Sequence, residues 1–211
     1  VLVCEQCWLV QAEAYSRAAE LFNEEYAYFS SFSTEWLNHA KKYVNDMVER
    51  FGLTKSSVIG EVAANDGYLL QFVKERGISC YGIEPTASTA NAARQKGIEI
   101  IQDFLTVKLA SELRQQGRTV DLLTANNVLA HVPDINDFSQ ACHLLLNDDG
   151  VVTCEFPHLL NLISQHQFDT IYHEHFSYLS FGTVVNLFSK NGLNVFDVEK
   201  IGTHGGSLRV Y

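Results

Sequence analysis

The stretch Ser56–Leu70, SSVIGEVAANDGYLL, decides how the chain is read. An apolar run ends on an acid, Glu61. A short polar turn follows, and apolar residues then resume at helical spacing. That is a strand, a tight turn and a helix. The pattern repeats downstream. ISCYGIE, IEII, VDLLTANNV and GVVTCEF read as strands. GYLLQFVKERG, ASTANAARQKG, VKLASELRQQG and INDFSQACHLLL read as the helices between them. Such alternation with apolar strands predicts a parallel sheet covered by helices on both faces. A further helix is expected around LLNLISQ. The close, FGTVVNLFSKNG as helix then LNVFDVEKI and GGSLRVY as strands, predicts antiparallel pairing at one edge.

In sheets of this kind ligands bind beyond the carboxyl ends of the strands. Glu61 before the first turn and Ala63, Asn65, Asp66 and Gly67 in it are candidate cofactor contacts, with one glycine in the turn proper. The turn lacks the G-x-G-x-x-G fingerprint of dinucleotide sites. Asn65 and Asp66 tolerate tight turns in place of glycine. Asp66 would repel a pyrophosphate but suit a ligand with a cationic head. Glu84, 17 positions after Gly67 and followed by Pro85, is placed to accept both hydroxyls of a ribose. A ribose without a pyrophosphate, beside an acidic turn, fits S-adenosylmethionine (SAM) better than NAD. Asp103 after the third strand is a candidate for adenine. Asn126 and Asn127 after the fourth are candidates for the amino-acid end. Each lone acid also reads as a solvated loop residue; the four successive loops together carry the signal.

After the fifth strand comes TIYHEHFSY, Thr170–Tyr178. On a strand His173 and His175 would share a face, with Glu174 opposed. Two ligands are too few for a metal, and the helical zinc spacing is absent. Acid–base chemistry suits the residues better. A neutral imidazole takes and returns a proton near neutrality, a carboxylate can orient it, and Tyr172 can donate to a developing oxyanion. His131, in LAHVPD, approaches the same mouth. The alternative is a set of buried, hydrogen-bonded aromatics.

Upstream, Ser33 is a good N-cap, and Trp36, Leu37, Ala40, Tyr43, Val44, Met47 and Val48 recur at helical spacing up to Gly52. The stripe reads as packing. Cys4-x-x-Cys7 has the spacing of half a structural zinc site, or an accidental one. Residues 1–20 are read as a separate lead segment around that spacing, 21–55 as a helical lead-in and 56–211 as the cofactor-binding core.

The totals narrow the partners. The 211 residues carry a formal net charge of −10, which disfavours nucleic acid. No apolar run reaches the ~20 residues of a membrane helix, no signal peptide is recognisable, and the cytoplasm is the expected compartment. Cys80, Cys142 and Cys154 sit in apolar sequence as small core residues. Oligomeric state is not legible.

The blocks EVAANDGYLL, GIEP, NNVLAHVPDINDF, EFPHLLNLI, QFDTIYHEHFSY, GLNVFDVE and THGGSLRVY resemble the SAM-dependent C-methyltransferases of nucleotide-linked 4-keto deoxysugars. The likeness runs from about Cys4 to Tyr211, and YHEHFSY and AHVPD are its most specific blocks. The resemblance implies an α/β, Rossmann-like class I methyltransferase fold with a mostly parallel seven-stranded sheet, SAM as cofactor and a nucleotide-sugar substrate. It implies His175 as the base that enolises the keto-sugar, with Tyr172, Glu174 and His131 in support. Tyr26 matches a substrate-contacting tyrosine, and His173, His204, Ser207 and Arg209 fall at the substrate side. THGGSLR also reads as a tight turn into an edge strand with a surface arginine. Members of the group look three-part, with a zinc module bearing two C-x-x-C pairs and a C-terminal domain. The resemblance therefore implies a fragment lacking part of both ends, with residues 1–20 as a remnant of the zinc-binding module and zinc belonging to the complete protein. Gly60 departs from the usual apolar residue, with a packing effect expected. Transfer to oxygen or nitrogen of another small molecule, and a non-catalytic binding domain, are the competing readings.

Overall fold

A computed structural model describes residues 1–13, 20, 29–203 and 205–211. Seven strands form the main sheet: β3 (Val58–Val62), β4 (Ser79–Ile83), β5 (Glu99–Ile101), β6 (Val120–Asn126), β7 (Leu146–Pro157), β9 (Val198–Ile201) and β10 (Ser207–Val210). Their order is β5-β4-β3-β6-β7-β10-β9. From β5 to β7 every pairing is parallel. The antiparallel pairing falls at the other end, where β10 runs against both β7 and β9.

Alternation along the strands divides the core into two layers. Ile59 and Leu122 face α1 (Thr34–Arg50), α2 (Leu70–Glu75) and α3 (Ala87–Gln95), whose Tyr43, Met47, Val73 and Ala93 fill one layer. Val62 and Leu123 face α4 (Val107–Gln115), α5 (Ile135–Leu145) and α7 (Phe181–Lys190), with Leu113, Phe138 and Leu187 in the other. Each such side chain fully withdrawn from water contributes about 1.5–3 kcal/mol. The strands are buried on both faces, so they read as continuous apolar runs.

Helix α1 begins where its cap says it should. The Ser33 side chain accepts from the Trp36 amide, Glu35 lies in the first turn and Arg50 in the last. The buried Tyr43 hydroxyl pairs with Thr124 and Thr153 Oγ1 at 2.8 and 2.6 Å, tying α1 to β6 and β7. Two strands differ from the expected lengths. Strand β7 starts earlier, at Leu146, with a register shift opposite Val120 and Leu122. Of LNVFDVEKI only Val198–Ile201 is strand. At Gly60 a β-carbon would meet Leu123 Cδ1 and Val120 Cγ1 at 3.1 Å, so the glycine gives these core side chains room.

A second, small sheet has the order β1 (Leu2–Val3), β2 (Val10–Gln11), β8 (Ser177–Tyr178). Cys4 and Cys7 lie in the turn joining β1 and β2. Val10 pairs with Tyr178 and Gln11 with Ser177, and the Ala12 amide donates to the Phe176 carbonyl at 3.1 Å. The amino-terminal hairpin is thus hydrogen-bonded to the segment that follows His175. Among the described residues no helix is long and apolar enough to cross a membrane.

Candidate active site

A cleft of about 990 Å³ opens at the carboxyl ends of β3, β4, β6 and β7. Its first wall is the turn after β3. Ala63 and Asn65 adopt φ of +54° and +49° there, and Gly67 one of +75°. Left-handed conformations at non-glycine residues cost about 1–3 kcal/mol and persist where the surroundings enforce them. Glu84 helps to hold Asn65 in this conformation. It is buried, and its two oxygens accept from the amides of Asn65 and Thr86 at 2.8 and 2.9 Å. A carboxylate offers about four acceptor positions, so Glu84 keeps capacity for ligand hydroxyls. At Gly67 a β-carbon would lie 2.4 Å from Ile98 Cδ1, so only glycine lets the turn approach α3.

The proposed cofactor residues divide into two groups. Ala63, Asn65, Glu84, Pro85, Asp103, Asn126 and Asn127 line the cleft. Glu61, Asp66 and Gly67 do not. Asp66 is buried, and its Oδ2 accepts from the Ser31 amide and Lys96 Nζ, both at 3.3 Å. Asn65 Oδ1 likewise accepts from the Ser30 amide at 2.9 Å. Both side chains therefore clamp the approach to α1 over the turn. Glu61 lies inside the sheet, its carboxyl pushed well up by burial and by the nearby charges of Glu84 and Asp66.

Asn127 is the clearest sign of a ligand. Its φ is +54°, and its amide is fixed to the Glu155 carbonyl at 2.7 Å. Its side-chain nitrogen and oxygen are both buried with no protein partner among the described residues. Such atoms call for a bound polar group. The buried Glu84 carboxylate and the Asn126 and Asn127 amides are among the polar groups that this cleft offers a ligand. Trp36 and Tyr68 also line it, stacked with ring centroids 5.8 Å apart. The sequence reading had Trp36 as packing. Tyr68 was open to detection, since it directly follows the turn.

The far wall carries two histidines, a tyrosine and a glutamate. His131, at the end of a 3-10 turn after β6, and Tyr172, Glu174 and His175 all line the cleft. The His131 and His175 ring centroids are 4.7 Å apart. Nδ1 of His131 donates to the Glu174 carbonyl at 3.0 Å, and Nδ1 of His175 to the Thr170 carbonyl at 2.8 Å. A carbonyl only accepts, so each ring holds its proton on Nδ1 and presents Nε2 as the basic nitrogen. Nε2 of His175 faces the Tyr172 hydroxyl at 3.2 Å. His175 is buried and Tyr172 is 43% exposed.

Residues 171–175 form a turn, so the face-sharing expected of a strand does not hold. His173 is exposed outside the cleft, while Glu174 and His175 line it. Ser207 and Arg209 are buried in β10 and do not line the cleft; Arg209 pairs with Glu155 at 2.8 Å. The surface arginine of the alternative reading is thus corrected: it is 4% exposed. Tyr26 and His204 lie outside the described residues. Near Cys4 the backbone amides of Cys7 and Gln6 pull the thiol below its ordinary value. Among the described residues no group of three metal-binding side chains occurs, so these two cysteines do not complete a zinc site.

His131 is held down to about 4, first by burial and then by the charge of His175, against the opposing Glu174 carbonyl. It stays neutral at neutral pH. The unfolded chain takes up this proton near 6.5, the folded one only near 4. Stability from this group is therefore complete above pH 6.5 and falls as pH drops from 6.5 towards 4, by up to about 3 kcal/mol. Urea unfolding at a series of pH values should show this decline in the native protein and a shallower one in His131→Gln. Parallel curves would refute the assignment.

Residues 36–198 match the family model described as methyltransferase domain. The C-methyltransferase NovU of Streptomyces niveus is 35% identical over 211 residues, 100% of this chain and 50% of that protein. The ubiquinone biosynthesis O-methyltransferase of Pseudomonas paraeruginosa is 26% identical over 140 residues, 61% of this chain and 60% of that protein. The chain thus spans about half the length of the C-methyltransferase relative. The crystal structure of magnesium protoporphyrin IX methyltransferase (ChlM) from Synechocystis PCC 6803 with bound SAH superposes with a TM-score of 0.65 at 15% identity, covering 83% of each chain. That likeness establishes the shared Rossmann-like fold. The cleft, the fold and the match over residues 36–198 together show that the chain belongs to the methyltransferase-domain family and carries the core of a SAM-dependent methyltransferase.

Proposed function

We propose that this core C-methylates a nucleotide-linked 4-keto-6-deoxyhexose at the carbon beside the ketone. The observation that carries the reading is His175, with Nδ1 on the Thr170 carbonyl and Nε2 against the Tyr172 hydroxyl, in one cleft with Glu84 and Asn127. The ketone acidifies the neighbouring C–H. Nε2 of His175 takes that proton, and the C–H electron pair moves into the enolate. The Thr170 carbonyl steadies the resulting imidazolium. Tyr172 turns its hydroxyl from Nε2 to the developing enolate oxygen. The neutral His131 beside them adds no competing charge. SAM, when bound, supplies the electrophilic methyl group. Transfer of that methyl to the enolate carbon would break its bond to sulfur and leave the neutral thioether, and His175 gives its proton to solvent.

The 35% relative named as a C-methyltransferase supports transfer to carbon, and the resemblance of YHEHFSY and AHVPD supports the sugar. The cleft lining offers Glu84, Asp103, Asp134, Asp137, Asp169 and Glu174, and no Lys or Arg among the described residues. A diphosphate would be repelled there. In this reading the sugar enters and the nucleotide stays outside. Cys4 and Cys7 would contribute two of four zinc ligands in a longer protein, and the five free thiols fit a reducing, cytoplasmic compartment.

The test is exchange in D₂O with a dTDP-4-keto-6-deoxy sugar and the longer protein, with and without SAM. Deuterium uptake at one ring carbon, and methyl transfer to that carbon, is the expected result. SAM binding without exchange would refute it and favour a hydroxyl acceptor, as the O-methyltransferase relative's name suggests.

A further inference from the structure

Of the turn between β9 and β10, the described residues Thr203, Gly205 and Gly206 are absent from the cleft lining. The turn grips the catalytic loop from behind. Gln167 Nε2 donates to the Gly205 carbonyl at 2.8 Å, and Asn161 Nδ2 to the Gly206 carbonyl at 3.3 Å. Both glycines hold left-handed φ, +74° and +108°. A β-carbon at Gly205 would lie 2.4 Å from Gln167 Nε2, and one at Gly206 2.2 Å from Asn161 Nδ2. The two glycines are thus what lets the amides reach the turn.

The contacts continue towards the site. The Gln167 carbonyl accepts from Thr170 Oγ1 at 2.8 Å and from its amide at 3.3 Å. The Thr170 carbonyl in turn accepts from His175 Nδ1 at 2.8 Å. One hydrogen-bonded path therefore runs from the β9–β10 turn to the imidazole.

We infer that Gln167, anchored on the Gly205–Gly206 turn, is a positioning residue that fixes the tautomer and orientation of His175. The part of this concerning catalysis rests on His175 being the base. Gln167 touches no reacting atom. It acts by holding the Thr170 carbonyl where Nδ1–H must point. Without that anchor the Thr170 carbonyl drifts, the Nδ1–H form loses its preference, and Nε2 is no longer held as the basic nitrogen facing Tyr172 and the substrate.

The test uses Gln167→Glu, which keeps the length of the side chain but removes the donor, and Gly205→Ala as an independent variant. Nitrogen-15 NMR of histidine-labelled full chain, with His175 assigned by its loss in His175→Asn, reads the tautomer without substrate. The native protein should show Nδ1–H, and both variants a mixture. In the longer protein, kcat for methyl transfer should fall about 10- to 100-fold, with SAM affinity and the sugar KM within about threefold. An unchanged tautomer in folded variants overturns the proposal. So does a loss of SAM affinity in step with kcat, which marks a general structural role. Should His175→Asn keep full turnover, the base assignment fails, while the NMR arm still decides whether Gln167 positions the ring.

Discussion

His175→Asn lowers α-hydrogen exchange of the keto-sugar by about 10³-fold, within the range general-base catalysis supplies. The amide of asparagine still donates to the Thr170 carbonyl, so the loop 170–175 keeps its anchor. What disappears is the titratable Nε2 facing Tyr172. Glu84 and Asn127 lie on other elements, so SAM affinity stays within about twofold. Tyr172→Phe leaves the base and removes the donor to the enolate oxygen, and costs about 10²-fold. Deuterium uptake by proton NMR, with SAM binding by calorimetry on the same samples, checks both. Exchange at the native rate in His175→Asn would move the base to another residue.

Glu155→Ala destabilises the fold by about 3–5 kcal/mol. Glu155 is fully buried at the end of β7. It accepts from Arg209 at 2.8 Å, His39 at 3.1 Å and Thr203 Oγ1 at 2.9 Å. Burial alone would raise its carboxyl, but the His39 hydrogen bond and the Arg209 charge outweigh it and hold the group below its ordinary value. Removing it leaves the buried guanidinium of Arg209, which also sits over the Tyr43 ring, with Glu199 at 3.5 Å as its remaining carboxylate partner among the described residues. Glu155→Gln keeps an acceptor for Arg209 and costs less. Replacing Glu155 and Arg209 together by Met recovers much of the loss, since the cost comes from the uncompensated charge. Equilibrium urea unfolding decides it; an alanine variant within 1 kcal/mol of the native protein would show that the network carries little.

The order of strands and helices was legible because each is long enough to show its period and each turn has its own chemistry. The cleft was legible as a place, since ligands gather at strand ends. Individual roles were less so. Asn65 and Asp66 looked like ligand contacts, yet their partners, Ser30 and Ser31, lie 35 residues upstream. Trp36 belongs to an apolar stripe, and only the packing of α1 against the turn brings it to the cleft. Glu155 reads as one acid inside an apolar strand; its partners His39 and Arg209 stand 116 and 54 residues away. Strands β1, β2 and β8 are two residues each, too short for any periodicity to register.

The pairing of β2 with β8 has a consequence for how the protein is made. Its registers join Val10 to Tyr178 and Gln11 to Ser177, residues separated by most of the chain. Closing so long a loop adds little to the equilibrium cost, about 0.6 kcal/mol per doubling of length. It weighs on timing instead, because distant pairings form late. During synthesis β2 can pair with β1 at once but must wait for β8 until the segment beyond His175 has left the ribosome. The cysteine hairpin and the turn that carries His175 are thus joined in one late step.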